Sequence, residues 1–345
     1  MPRSRNRSFL YAFVFSLAFA GTAATAAETA TPATGDADVD RTIEMARQRA
    51  LNADRPDWPA VQARAAELVR AQPGEAGRTA AIRHVLASLR DGHSFYMSAE
   101  QLSARQSGAA AAGRGGAAGK GGPRPPIAAA QPAVAGFPRL SVNAWVGDSD
   151  AAMTDAALQV RRELSAALGG GACGLVVDLS ANGGGNMWPM MGGLAPLYDE
   201  GLIEAYDNGR GRRTELIVKR GALYSGDTRL PDIDLPPLPA RPRYVAVILG
   251  ARTASSGEIT ALGFKGQGNV RSFGAPTAGA TSSNQSIRLP SGGLLALTTS
   301  RLVDRNGGVQ HGPLQPDERS EQPLDTAAQW LTRQCGAGPA PQGGQ

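Results

Sequence analysis

The stretch "YVAVILGARTASSGEIT" (residues 244–260) joins a run of apolar residues to a short turn rich in hydroxyl groups. An uninterrupted apolar run that ends at glycine is typical of a strand buried on both faces of a sheet. Ser255 and Glu258, three residues apart, match the capping box that begins many helices. The stretch therefore predicts a strand, a tight turn and a helix from 254 to 264. Because capping boxes are common, the stretch alone favours a helix cap over a catalytic serine.

Similar strand patterns lie on either side of this stretch. "FPRLSVNAWV" (137–146) and "CGLVVDLS" (173–180) are strand-like, and a helical pattern (150–168) separates them. Apolar strands that alternate with helices predict an α/β core with a largely parallel sheet. Residues 205–220 predict a hairpin, and "QSIRLPSGGLLALTTSRLVD" (285–304) predicts paired strands with a turn at "PSGG".

The N-terminus has the composition of an export signal. A basic segment, "MPRSRNR", precedes the apolar segment "SFLYAFVFSLAFAG" and the small-residue site "ATAA" (24–27). The apolar segment is shorter than the roughly 20 residues of a membrane span. We therefore predict cleavage after Ala26 or Ala27 and a periplasmic or secreted protein without a stable membrane anchor, while an uncleaved anchor stays a minor alternative.

Composition and pattern divide the chain into segments with different predicted structure. Apolar residues recur at helical spacing from 39 to 90, whereas Gly, Ala and Pro dominate further on. The predicted segments are the signal peptide (1–27), an N-terminal helical region (28–104), a linker or loop (105–136), the α/β core (137–336) and a disordered tail (337–345).

The sequence gives no indication of a nucleic-acid partner, a metal site or a cofactor. The net charge of +5 comes mainly from arginine, without a dense basic run interleaved with aromatics, so we set nucleic acid aside. The chain has three histidines and two cysteines, and no CxxC or HExxH motif, so we expect neither a metal site nor a cofactor. In an oxidising compartment Cys173 and Cys335 are free to pair, but two free buried thiols are an equal alternative.

A run of three glycines follows the strand pattern in "VVDLSANGGGNMWP" (176–189). Without side chains, the amides of Gly183, Gly184 and Gly185 are able to approach a substrate carbonyl closely. The motif does not fit a phosphate-binding loop, because neither GK[ST] nor GxGxxG is present. Ordinary turns are the alternative, and Trp188 is expected to line either the core or a substrate pocket.

A catalytic serine requires a neighbouring base, and histidine is the usual one. His84 lies within a helical apolar pattern, where a packed or surface role is expected. His93, in "LRDGHSF", leaves a helix, and His311 lies in a Gly/Pro-rich loop. The spacing ranks His93 only slightly above His311, and no S-x-x-K motif includes Lys265 as a serine–lysine partner.

Three ordered motifs together resemble the C-terminal processing (tail-specific) serine protease family. These are "VVDLSANGGGNMWPM", "ARTASSGEITALGF" and "GAPTAGATSSNQSIRLPSGGLLALTTSRLVDRNGG…PLQPD", which lie between 137 and 320. The likeness is greatest to the PDZ-less branch similar to the tricorn core protease and interphotoreceptor retinoid-binding protein. The resemblance implies a ClpP/crotonase-like α/β core and hydrolysis of peptide bonds.

The resemblance also implies roles for individual residues. It places the nucleophile at Ser255 and the oxyanion donors at the amides of Ser256 and Gly184. Ala280 stands where tail-specific members carry a catalytic lysine, so His93 becomes the implied base.

The residue that orients the histidine is less well defined by the resemblance. Gln310 falls at the position of a glutamate in the tricorn enzyme, with Glu258 and His311 as rivals. A neutral amide would orient an imidazolium but stabilise it less than a carboxylate.

The leading prediction is therefore an exported serine peptidase that acts on a peptide or protein substrate. A non-catalytic protein that binds apolar ligands on the same fold is one alternative, and an esterase or amidase for small substrates is another. An oligomer is compatible with the sequence.

Overall fold

Helices and strands are described for residues 33–104, 125–147, 149–169 and 171–336 of a computed structural model. The predicted signal peptide and C-terminal tail lie outside these residues. The helices are α1 (Ala37–Arg49), α2 (Trp58–Ala71), α3 (Glu75–Leu89), α4 (99–104), α5 (Asp150–Leu168), α6 (Met187–Leu194), α7 (Ser256–Leu262) and α8 (Pro323–Gly336). The strands are β1 (Phe95–Met97), β2 (Ala128–Val134), β3 (Phe137–Val142), β4 (Gly174–Asp178), β5 (Gly201–Asp207), β6 (Arg213–Lys219), β7 (Ala222–Ser225), β8 (Thr228–Arg229), β9 (Tyr244–Leu249), β10 (Val270–Gly274), β11 (Ser282–Arg288), β12 (Leu294–Asp304) and β13 (Glu318–Arg319).

The first sheet is parallel apart from one edge strand. Its order is β13-β10-β9-β4-β3-β2, and every neighbouring pair from β13 to β3 is parallel. Every residue of β4 is buried, because the apolar core cluster around α5, α6 and α7 covers one face and the cluster around α8 covers the other. The predicted α/β core with a largely parallel sheet is therefore confirmed.

Strand β2 corrects part of the prediction that residues 105–136 form a linker or loop, and residues 105–124 of that segment lie outside the described residues. Residues 128–134 pair antiparallel with β3 through a two-residue turn at Ala135 and Gly136, whose φ angles are 47° and 84°. Positive φ at both central residues is the geometry of a tight hairpin turn. The alanine-rich composition hid this strand, since β2 depends on main-chain pairing with β3 more than on bulky side chains.

The second sheet is antiparallel and carries the predicted hairpins. Its order is β1-β12-β5-β6-β7-β8, with β11 paired to the other side of β12. Strands β5 and β6 form the hairpin predicted at 205–220, and β11 and β12 are joined through the predicted "PSGG" turn. The β11–β12 hairpin of this sheet packs against the N-terminal helices.

The N-terminal helices form their own apolar cluster against that hairpin. Val39, Ile82 and Val85 are fully buried in this cluster together with Leu295 and Leu297 of β12. Asp36 and Asp57 cap α1 and α2 with their carboxylates, as expected for helix starts. The predicted helical region is thus attached to the antiparallel sheet by burial of apolar side chains.

A disulfide and a buried arginine hold the ends of two helices in the core. Cys173 and Cys335 form a disulfide that ties the end of α8 to the chain just before β4. The buried Arg161 of α5 donates to the carbonyls of Gly192 and Gly193 at the end of α6, at 3.1 and 2.9 Å. Burial lowers the pKa of Arg161 to about 10, so the side chain is charged at neutral pH and complements the negative end of the helix dipole.

Within the described residues, none of the helices is long and apolar enough to cross a lipid bilayer.

Candidate active site

Ser255 lies in the turn between the buried strand β9 and helix α7. Its φ and ψ are 51° and −117°, a conformation that non-glycine residues rarely adopt. Thr253 fixes the turn, because its hydroxyl donates to the carbonyl of Leu179 at 2.9 Å and accepts from the N–H of Gly250 at 3.0 Å. Such strain costs on the order of 1–3 kcal/mol and is concentrated at functional sites.

Glu258 holds the turn from inside the protein. Its side chain is fully buried and accepts from the N–H of Ser255 at 2.8 Å, as the predicted capping box requires. It also accepts from the hydroxyl of Thr277 and from the N–H of Gly279. The carboxylate therefore fixes Ser255 to the loop that follows β10 and is not turned towards a histidine.

His93 is the partner of the Ser255 hydroxyl. Its Nε2 lies 3.1 Å from the Oγ of Ser255, although the two residues are 162 positions apart in the chain. Asp91 fixes the turn that carries the histidine, because its carboxylate accepts from the N–H groups of His93 and Ser94. Burial lowers the pKa of His93, and the nearby charge of Asp91 opposes this effect. At neutral pH the imidazole is thus uncharged and able to accept a proton.

Two residues of β11 contact His93 from its other side. The Oγ of Ser282 lies 2.8 Å from the Nδ1 of His93. The side-chain amide of Asn284 donates to the main-chain carbonyl of His93 at 2.9 Å. Sequence reasoning missed Ser282, and its place in the hydroxyl-rich "ATSSNQ" segment gives no indication of a partner so far away in the chain.

The glycine loop lies against the Ser255 turn. Gly184 is buried with φ of 98°, and an added Cβ there would lie 2.9 Å from the Cβ of Ser255, so a side chain does not fit. The N–H of Gly184 donates to the side-chain oxygen of Asn182 at 3.0 Å, and the main-chain carbonyl of Asn182 accepts from Ala254 at 2.9 Å. Asn182 thus stabilises the loop.

The predicted oxyanion residues lie together, but not all their amides are available. The hydroxyl of Ser256 donates to the carbonyl of Gly185 at 2.5 Å, which joins the start of α7 to the loop. Gly183 and Gly185 are exposed, whereas the amide of Gly184 is already engaged. Trp188 is the second residue of α6, beside the loop, and is half-buried against the main core.

Gln310 is not brought to His93, which corrects the prediction that it orients the histidine. Its side-chain amide donates to Asp304 at 3.1 Å, and its oxygen accepts from Lys265 at 3.4 Å. The reason is the path of the chain after β12. Asp304 accepts from the N–H of Gly308 in a tight turn, and its carboxylate binds the side chains of Gln310 and Lys265. Ser282 occupies the position at Nδ1 that was expected for Gln310.

The rival bases are also placed elsewhere. Lys265 is exposed and pairs with Asp304 at 3.4 Å. His311 is exposed on the loop after Gln310, and His93 is the histidine in contact with Ser255. Among the residues that the structure describes, no group of His, Cys, Asp or Glu side chains could hold a metal ion.

The arrangement suits acyl transfer. A hydroxyl within hydrogen-bond distance of an uncharged imidazole is the geometry of an activated nucleophile. Backbone N–H groups at a helix start and in a glycine loop are suited to stabilise an oxyanion.

Comparison with known families and curated proteins places this chain among peptidases. The sequence profile of Peptidase family S41 matches residues 142–320, which include Ser255 and the glycine loop but not His93. A nisin-resistance protein from Lactococcus lactis subsp. lactis is 33% identical over 162 residues, which are 47% of this chain and 50% of that protein. The match thus spans about half the length of this relative.

Solved structures show the same fold over most of the chain. A lipoprotein from Streptococcus agalactiae has a TM-score of 0.71 at 23% identity, with 86% of this chain and 95% of that chain covered. A photosystem II D1 C-terminal processing protease has a TM-score of 0.55 at 15% identity, with 85% and 96% covered. The fold predicted from the three motifs is therefore confirmed, including the N-terminal helical region.

Proposed function

Because the chain belongs to peptidase family S41, we propose that it is an exported serine peptidase with Ser255 as nucleophile and His93 as general base. The single observation that carries the roles is the 3.1 Å contact between the Oγ of Ser255 and the Nε2 of His93. The strained backbone of Ser255 supports them, since such strain is concentrated at functional sites and the hydroxyl that it presents contacts His93.

The proposed reaction passes through an acyl-enzyme. As the Oγ of Ser255 bonds to the peptide carbonyl carbon, its proton moves to the Nε2 of His93 and the carbonyl electrons form an oxyanion. When the intermediate collapses, the C–N bond breaks and the leaving amine takes the proton from His93. Water then attacks the ester with His93 again as base, which releases the acid and restores Ser255.

The oxyanion is proposed to receive two main-chain donors. One donor is the N–H of Ser256, the first residue of α7. Gly184 contributes the second only if its amide leaves the oxygen of Asn182, where it lies at 3.0 Å. The amide of Gly185, an exposed residue of the same loop, is the alternative. Each such donor is worth roughly 2.7–4 kcal/mol of transition-state stabilisation.

Two features support a peptide substrate outside the cytoplasm. The segment 1–27 has the composition of a cleaved signal peptide. One relative is named for nisin resistance, and one structural neighbour is named a lipoprotein. Nisin is therefore a reasonable first test peptide, next to an unbiased peptide library.

The experiment that tests the proposal is labelling with a fluorophosphonate, which reacts with activated serines. The full chain is expressed and recovered from the periplasm or medium, and its N-terminal residue is determined by mass spectrometry. We expect a chain that begins at Ala27 or Glu28 and a label on Ser255. Ser255→Ala is expected to abolish labelling, and His93→Ala to reduce the labelling rate by about a thousandfold or more.

Ser283→Ala serves as the matched control, because it also removes a hydroxyl near the site but not one that contacts His93. Folding of each variant is checked by circular dichroism. A folded wild-type protein that takes no label and cleaves no peptide would favour the alternative of a binding protein on the same fold. Turnover of esters without turnover of peptides would favour an esterase.

A further inference from the structure

Two residues of strand β11 contact His93, and no sequence motif links them to the histidine. The Oγ of Ser282 lies 2.8 Å from the ring Nδ1, and the side-chain amide of Asn284 lies 2.9 Å from the main-chain carbonyl. We propose that Ser282 is the positioning residue of His93, whose hydroxyl accepts from Nδ1–H and so leaves the Nε2 lone pair facing Ser255. This inference rests on the proposed function and specifies how its base is oriented.

The proton positions follow from the pairing with Ser255. The hydroxyl of Ser255 is activated only if it donates to Nε2, which must then carry no proton. A neutral imidazole has one N–H, so the proton lies on Nδ1 and requires an acceptor. The oxygen at hydrogen-bond distance from Nδ1 is the Oγ of Ser282.

The carboxylate nearest in sequence is engaged elsewhere. Asp91 accepts from the N–H groups of His93 and Ser94 and from the hydroxyl of Ser94, at 3.0, 2.8 and 2.6 Å. Its contacts fix the backbone turn and do not involve the imidazole ring. The ring is therefore oriented by a neutral hydroxyl, which holds the tautomer without adding a negative charge beside the imidazolium.

Ser282 itself is fixed by the fold. It is the first residue of β11 and pairs with Arg301 of β12. The preceding residue, Thr281, is buried and donates to the carbonyl of Gly312 at 2.8 Å. The hydroxyl of Ser282 is thus presented by a strand end that is anchored on both sides, as an orienting residue requires.

The test compares two isosteric variants that differ in one hydroxyl. Ser282→Thr keeps the oxygen and Ser282→Val replaces it with a methyl group. A hydrogen bond to a group that becomes charged is worth a factor of about 10 to 100 in rate. We expect kcat or the labelling rate of Ser282→Val to fall by that factor with KM unchanged, and Ser282→Thr to stay within about threefold of wild type. Ser283→Val is the neighbouring control and should have no such effect.

A second readout follows the ring directly. In protein labelled with 15N-histidine, assigned with His84→Gln and His311→Gln, we expect the neutral Nδ1–H form of His93 in wild type and in Ser282→Thr. In Ser282→Val a substantial fraction should shift to Nε2–H.

Ser282→Asp should move the acid limb of the pH profile upward by about one pH unit or more, because it adds a charge beside the imidazolium.

The outcomes separate this inference from the proposed function. An unchanged tautomer and an unchanged rate in Ser282→Val would overturn the role of Ser282, even in an active peptidase. A wild-type protein with Nδ1–H on His93 but without label or turnover would contradict the proposed function instead. If Ser282→Val does not fold, Ser282→Ala replaces it in the same comparison.

Discussion

The two sides of the candidate active site are held in different ways. On the Ser255 side the contacts of Glu258 are close in the chain, since Glu258 is three residues from Ser255 and Thr277 and Gly279 follow 19 and 21 residues after Glu258. The contacts of Thr253 with Leu179 and of Ser256 with Gly185 are longer, at 74 and 71 residues. On the His93 side the contacts with Ser282 and Asn284 span 189 and 191 residues.

This difference shows that the proposed nucleophile, Ser255, lies within the core, whereas the proposed base, His93, is positioned by packing of the N-terminal helical region on the β11–β12 hairpin. The Ser255 turn is formed by a buried strand, a helix start and a buried carboxylate within one motif. His93 is delivered by the segment after α3, and the helical region is fixed to the β11–β12 turn by the buried Asp38, which accepts from the N–H of Ser291 at 2.9 Å. Weakening the contact between the helical region and the β11–β12 turn should therefore displace His93 without disturbing the turn that carries Ser255.

The largest expected effect is on the Ser255 side. Glu258→Ala removes a buried acceptor for three donors, and we expect a loss of about 3 kcal/mol in the free energy of unfolding. Asn284→Ala, on the His93 side, should cost about 1 kcal/mol yet slow labelling of Ser255 about tenfold, because the carbonyl of His93 loses its donor. Urea denaturation and labelling rates measure the two quantities.

Glu258→Gln is the control for this pair, since it keeps the shape and one acceptor oxygen. It should be less destabilising than Glu258→Ala. Equal losses of stability in Glu258→Ala and Asn284→Ala would contradict the view that Ser255 is fixed within the core whereas His93 is positioned by packing of the helical region.

The next effect concerns pH. His93 must be uncharged to accept the proton, and burial lowers its pKa below the usual 6.5. The rate should therefore be full above that pKa and fall about tenfold for each pH unit below it. We expect the acid limb of the labelling rate to have its midpoint below pH 6.5. Asp91→Asn should move it lower still, because the charge of Asp91 raises the pKa.

A midpoint above pH 6.5 would contradict the lowering of the His93 pKa by burial. Ser255→Ala, which takes no label, provides the background at each pH.

The smallest effect is expected at the cluster around Asp304. Gln310→Ala and Lys265→Ala should leave the labelling rate within about twofold and stability within about 1 kcal/mol, because neither side chain contacts Ser255 or His93 and an ion pair with one exposed partner contributes little. Both variants are measured beside Ser282→Val. A hundredfold loss of rate in Gln310→Ala would restore it as the orienting residue.

Much of the fold could be predicted from the sequence because its patterns are local. The apolar runs of β4 and β9 and the "PSGG" turn each depend on residues close together in the chain. Strand β2 could not be predicted in this way, since its alanines gain stability only from pairing with β3.

The candidate site divides along the same line. The family resemblance predicts roles for Ser255, Ser256 and the glycine loop because each lies in a short motif that follows a strand, whereas the stretch around Ser255 alone favours a helix cap. The spacing ranks His93 only slightly above His311, and the contact of His93 with Ser255 supports the proposal that His93 is the base. Gln310 was placed wrongly because an alignment position does not define which way a loop runs after a strand.

The sequence by itself determined the apolar strands β4 and β9, the start of α7 and the motif that carries Ser255, because hydrophobic period and backbone capping act over a few residues. The tertiary structure alone decided that Ser282 meets Nδ1 of His93, that Gln310 does not, and that the amide of Gly184 is engaged by Asn182. The physical reason is that a hydrogen bond requires its two atoms to lie about 3 Å apart in space. The packing of the helical region on the hairpin sets those distances.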